Sequence, residues 1–63
     1  MEIVRIVDVT AISGTEKALL CEIDGREVWI PRSVINDESD VAEAGDEGVL
    51  VIAAWFAAKN NLT

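Results

Sequence analysis

The sequence predicts a mainly β domain in which a small antiparallel sheet is closed by one C-terminal α-helix. Three observations carry this. The first half is rich in β-branched Val and Ile, which fit a pleated, half-buried surface. Asp24-Gly25 stands between two β-type runs, the strongest short-range hairpin signal. The alanines gather late, at Ala53, Ala54, Ala57 and Ala58, where a helix is favoured.

The first strand is expected over residues 2–12. Its alternation is imperfect, with Ile3, Val7 and Val9 on one parity and Val4, Ile6 and Ile12 on the other. Either both faces are covered or a bulge switches the faces midway. Ser13-Gly14-Thr15 reads as a turn. Strands over 17–23 and 26–30 follow, and Pro31 ends the second of them. A two-residue turn at Asp24-Gly25 sets Glu22 opposite Glu27, and like charges in that position are destabilising. The favoured register is therefore a three-residue loop with Gly25 as bulge residue, pairing Glu22 with Arg26. It puts Ala18, Leu20, Val28 and Ile30 on one face, and Leu19, Cys21 and Trp29 on the other.

Ser33-Val34-Ile35 is expected to form a short turn that tucks an aliphatic side chain inward. Residues 36–47 form an acidic loop, with a short strand around Val41 and a tight turn at Gly45-Asp46-Glu47-Gly48. The apolar run 49–52 is the last strand. The helix spans about 53–60, with Ile52, Trp55, Phe56, Lys59 and Leu62 near one face and Trp55 assigned to the core. Asn60-Asn61 is the helix stop: Asn tolerates the left-handed conformation, and Leu62 can fold back on the last turn. The resulting architecture is a curled antiparallel sheet or an SH3-like or OB-like barrel capped by the helix. A flatter sheet covered on one side is the alternative.

With 63 residues the chain is one domain, residues 1–63. Domains of this size bury only roughly 60% of their unfolded surface, so a staple is useful. One cysteine, Cys21, excludes an intrachain disulfide, and the lack of histidine removes a structural zinc site. Association into a homodimer is the remaining staple. At 51% hydrophobic residues the chain is not of disordered type. The net charge of −7 disfavours nucleic acid and anionic membranes and suits a basic partner. No leader-type apolar run is apparent, and no stretch reaches the roughly 20 apolar residues of a membrane span. A reduced, cytosolic setting fits the lone thiol.

Lys17-Ala18-Leu19-Leu20, then Ile23 through Ser33 (Ile-Asp-Gly-Arg-Glu-Val-Trp-Ile-Pro-Arg-Ser), resembles a pattern in small, mostly uncharacterised proteins of bacteriophages and prophages. The second half is similar too: Gly45-Asp46-Glu47-Gly48, Leu50-Val51-Ile52, then Trp55, Ala57, Lys59 and Leu62. In that pattern the helix often opens with Pro and closes with Gly; here Ala53 and Asn61 stand in those places. The resemblance implies a phage or prophage origin and the cytosol of a bacterial host. It carries over no catalytic residue.

The residues argue for binding over catalysis. Ser13, Ser33 and Ser39 have no histidine to activate them, and a Ser-Lys pair with Lys17 or Lys59 has no sequence mark. Cys21 in mid-strand reads as a small packed hydrophobe. The 12 acidic residues guarantee close carboxylate pairs, but so small a domain leaves little volume for a cleft between them. Asn36, Glu38, Asp40 and Glu47 have partial calcium-loop spacing, but Val41 occupies the position that needs Gly. No cofactor or metal is expected. Asp37, Glu38, Asp40, Glu43, Asp46 and Glu47 crowd six carboxylates into eleven residues, a strip able to imitate a phosphate backbone or merely to solubilise. Trp29 is the second partner-binding candidate, since Trp is enriched at interface hot spots. Expected function is thus a non-enzymatic interaction protein engaging another protein through the acidic loop or the Trp29 face. The alternative is a nucleic-acid accessory module in which Arg26, Trp29 and Arg32 form a stacking site.

Overall fold

The computed structural model describes residues 2–62. Four strands, β1 (Ile3–Gly14), β2 (Ala18–Ile23), β3 (Arg26–Pro31) and β4 (Glu47–Ala53), form one curled, unclosed antiparallel sheet in the order β3-β2-β1-β4. A 3-10 turn (Arg32–Val34) follows β3, and a single helix α1 (Ala54–Lys59) follows β4. No helix among the described residues is long and apolar enough to cross a membrane.

The imperfect alternation of β1 is a bulge. Ile6 pairs with Leu50 and Val9 with Gly48, so Val7 and Asp8 together oppose the single Val49. Asp8 takes a left-handed φ of 58°. The extra residue shifts parity once, which lets Val4, Ile6, Val9 and Ala11 all serve the core. Val7 is turned out and is 65% exposed. A second irregularity inserts Ile12 between the pairs Ala11–Cys21 and Ser13–Leu20, and Ile12 is also turned outward. Ser13 and Gly14 therefore belong to β1, and the turn lies at Thr15–Ala18, where Thr15 Oγ1 accepts from the N–H groups of Lys17 and Ala18.

The β2–β3 hairpin is the expected one, but its register differs from the expectation. Ile23 pairs with Arg26 and Glu22 with Glu27 across a two-residue turn. Asp24 (φ 52°) and Gly25 (φ 78°) both adopt the positive φ that a type I′ turn requires. The twist of that turn matches the strands, and the register it sets puts Leu19 opposite Ile30 and Cys21 opposite Val28 on the core face. Burying Leu19 and Ile30 is worth about 1.5–3 kcal/mol each, whereas the opposed glutamates are exposed to solvent, where charge interactions are screened. The one-residue change of register exchanges the faces of β3 relative to β2. Leu20, Trp29 and Ala18 thus share the outer face, and Leu19, Cys21, Ile23, Val28 and Ile30 face inward.

Val34 is tucked inward by the 3-10 turn as expected. No strand forms at Val41; it is fully buried from an irregular segment. β4 begins at Glu47, earlier than expected, because the tight turn closes at Glu43–Asp46, where the Asp46 N–H donates to the Glu43 carbonyl with Gly45 at φ 94°. The helix is shorter than expected at six residues. Successive residues advance 100°, so Trp55 lies far round the axis from buried Ala57 and is 58% exposed, not in the core. It stacks edge-on against Phe56, ring centroids 5.8 Å apart.

The helix stop is as expected. Asn61 has φ 57°, its N–H donates to Ala58 (3.3 Å), and the Leu62 N–H donates to Ala57 (2.8 Å), with Leu62 buried. This is a Schellman cap with its apolar contact. Asn61→Ala is expected to cost about 1 kcal/mol and Asn61→Gly to be neutral or slightly stabilising, as read by urea denaturation.

Candidate functional site

The acidic segment after the 3-10 turn runs along the free edge of β4. The Asn36 N–H donates to the Val51 carbonyl (2.8 Å), and Asp40 N–H to the Val49 carbonyl (2.9 Å). In return Val51 N–H donates to Ser39 Oγ (3.1 Å) and Val49 N–H to Asp40 Oδ2 (3.2 Å). Ser39 Oγ also accepts from Val41 N–H and donates to the Val41 carbonyl. An isolated bridge joins Ile35 to Ile52. Gly48 (φ 139°) makes room for this segment, since a Cβ there would stand 3.1 Å from the Asp40 side chain.

The six carboxylates are therefore divided among different contacts. Asp40 and Asp46 are turned onto backbone donors. Asp46 Oδ2 accepts from Ala42 (3.1 Å) and Glu43 (2.9 Å), and these bonds hold its carboxyl below the usual aspartate range. Glu38 pairs with Arg5 (3.3 Å) and Glu43 stands 3.8 Å from Arg32. Asp37 is exposed in the segment, and Glu47 sits on β4 opposite Thr10. No group of three acidic or cysteine side chains converges to hold a cation among the described residues.

Nor does the fold assemble the other candidate trio. Arg32 is a strap: Nε donates to the Thr15 carbonyl and Nη1 to the Ala42 carbonyl, both at 2.8 Å. Its guanidinium passes over Gly14, where a Cβ would come within 2.7 Å of Nη2. Arg26 lies at an even position of β3 and Trp29 at an odd one, so they project from opposite faces. Arg26 reaches the Asn61 carbonyl (3.5 Å), and Trp29 stands outward. The expected Arg26–Glu22 pairing is absent, because Glu22 faces Glu27.

What the outer face does present is Trp29, 50% exposed, paired across the strand with Leu20. Leu20 is paired in turn with Ser13, the neighbour of exposed Ile12. The adjoining row is acidic: Glu27 pairs with Glu22, Glu22 with Thr10, and Thr10 with Glu47. This row is not legible in the sequence, since it needs both the two-residue turn and the bulge to come into line. A depression of about 340 Å³ beside the bulge, lined by Asp8, Val9, Thr10, Glu47 and Gly48, continues the acidic character.

These features define a small β-sheet domain with an aromatic-acidic outer face. No known family matches the chain, and neither a curated protein nor a solved structure is detectably similar to it.

Ser39→Ala strands the N–H groups of Val41 and Val51 and is expected to cost about 2 kcal/mol, measured by urea denaturation. Asp46 contributes through pH. Its folded pKa is depressed, so its stabilisation is present above the ordinary aspartate value and disappears as pH falls through the lower folded value. Acid titration followed by circular dichroism should show that slope, and Asp46→Asn should flatten it.

Proposed function

We propose that this chain is a non-enzymatic binding module that engages a protein partner through the outer sheet face around Trp29. The observation that carries this is the half-exposed indole on β3, next to Leu20 and beside an acidic row. Trp is among the residues enriched at interface hot spots, where surrounding contacts exclude water from the anchor. The acidic segment is the weaker of the two docking candidates, because Asp40 and Asp46 are engaged with backbone and Glu38 is ion-paired. The nucleic-acid alternative is weakened by the engagement of Arg32 and by the separation of Arg26 from Trp29.

The non-enzymatic reading is supported by the places of the nucleophiles. Cys21 is fully buried and burial pushes its thiol up. The Ser39 hydroxyl is taken up by backbone groups. The resemblance to small phage and prophage proteins supports a protein of the bacterial host cytosol as the class of partner.

In a pull-down from bacterial lysate, Trp29→Ala is expected to reduce recovery of a defined partner about 30-fold, the loss of one hot-spot residue. The double change Asp37→Asn with Glu38→Gln should leave recovery intact. The reverse pattern would transfer the interface to the acidic segment. Salt-sensitive binding to single-stranded DNA, lost in Arg26→Glu, would favour the alternative.

A further inference from the structure

We propose that β3 is a strand-acceptor edge, taking an extended basic segment of the partner in antiparallel register, with Lys or Arg opposite Glu27 and an apolar side chain opposite Trp29. This deepens the Trp29 reading and rests on it.

The hydrogen-bond alternation of the hairpin fixes which groups face outward. The Arg32 N–H donates to the Lys17 carbonyl at 2.9 Å. Two residues in from that pair come Leu19–Ile30, then Cys21–Val28, then Ile23–Arg26 at the turn. Bonded pairs recur at every second residue of an antiparallel ladder, so these are the pairs that bond β2 to β3. The N–H and C=O groups of Glu27 and Trp29 consequently point away from β2. Among the described residues nothing meets them. The contrast with β4 is direct: that edge is stitched by Asn36, Ser39 and Asp40, whereas β3 is left open. Pro31, which lacks an N–H, and the Asp24-Gly25 turn bound the opening, so it suits a short segment.

Charge selects the occupant. Glu22 and Glu27 oppose each other on the outer face, and neither has an ion-pair partner among the described residues. A residue on an added strand opposite Glu27 would have its Cβ about 5 Å away. A cation there would supply the ion-pair partner that both carboxylates lack among the described residues. Two residues along, an apolar side chain would lie against the Trp29 indole, a favourable cross-strand pair. A second copy of this chain would instead set a net charge of −7 against −7. Acidic side chains at an edge deter self-pairing and leave it open to a basic strand.

The test uses the intact 15N-labelled chain and three blocked peptides. The first carries Val and Lys two positions apart among threonines. The second has Glu for that Lys, and the third is N-methylated at the Val. With the first, exchange of the Glu27 and Trp29 amides is expected to slow about tenfold or more at saturation. The second and third should bind about tenfold more weakly or worse, and Glu27→Lys should reverse the preference between Lys and Glu. Equal binding of the N-methylated peptide, or unprotected amides, overturns strand addition. Trp29 emission is followed in Trp55→Phe; if it responds while the amides stay unprotected, the Trp29 face stands and strand addition fails. If neither responds to any peptide, both fail. Concentration-dependent protection of the same amides without peptide assigns the edge to a second copy and also overturns the proposal.

Discussion

The free edge of β4 is the constraint on which the rest of this small structure depends. Leu50, Val51, Ile52 and Ala53 are all buried, and backbone polar groups beside them cannot be left without partners at an affordable cost. A fifth strand would be the ordinary solution. Here an irregular, acidic segment does the same work with two backbone N–H donors, one hydroxyl and one carboxylate. Once it lies along β4, Val41 drops into the core, the Asp46 turn starts β4 in register, and Arg32 can tie the segment back to the β1–β2 turn.

The two sheet edges are thereby unequal, and so are the acidic residues. Some carboxylates are structural acceptors, some are ion-paired, and others form the outer row beside Trp29. Net charge alone does not distinguish these roles. A strip of six carboxylates in the sequence becomes, in the fold, an edge cover with its surplus charge elsewhere.

What was legible in the sequence follows from how local each cause is. The Asp24-Gly25 turn, the Asn61 stop and the inward Val34 are set by residues within a turn of one another, and each lies where the sequence placed it. The β3 register departs from the local charge argument, Glu22 against Glu27, because the core-face pairs Leu19–Ile30 and Cys21–Val28 depend on contacts beyond the hairpin turn. The bulge was legible as an anomaly of parity, but its position required β4. Trp55 lies outside the core because a six-residue helix buries only one narrow stripe, occupied by Ala57. The role of the acidic segment was not legible at all: Ser39 and Asp40 act on β4, whose distance in space the sequence does not disclose.

Cys21 sits at the centre of β2, fully enclosed, with its thiol held in the protonated form by burial. The thiolate is the reactive species toward oxidants and electrophiles, and Cys21 has no exposed surface while it is packed in the core cluster. Modification of this sulfur therefore requires an opening that exposes the core, so the rate of labelling reads out the free energy of that opening. The chain carries a chemical clock for its own opening.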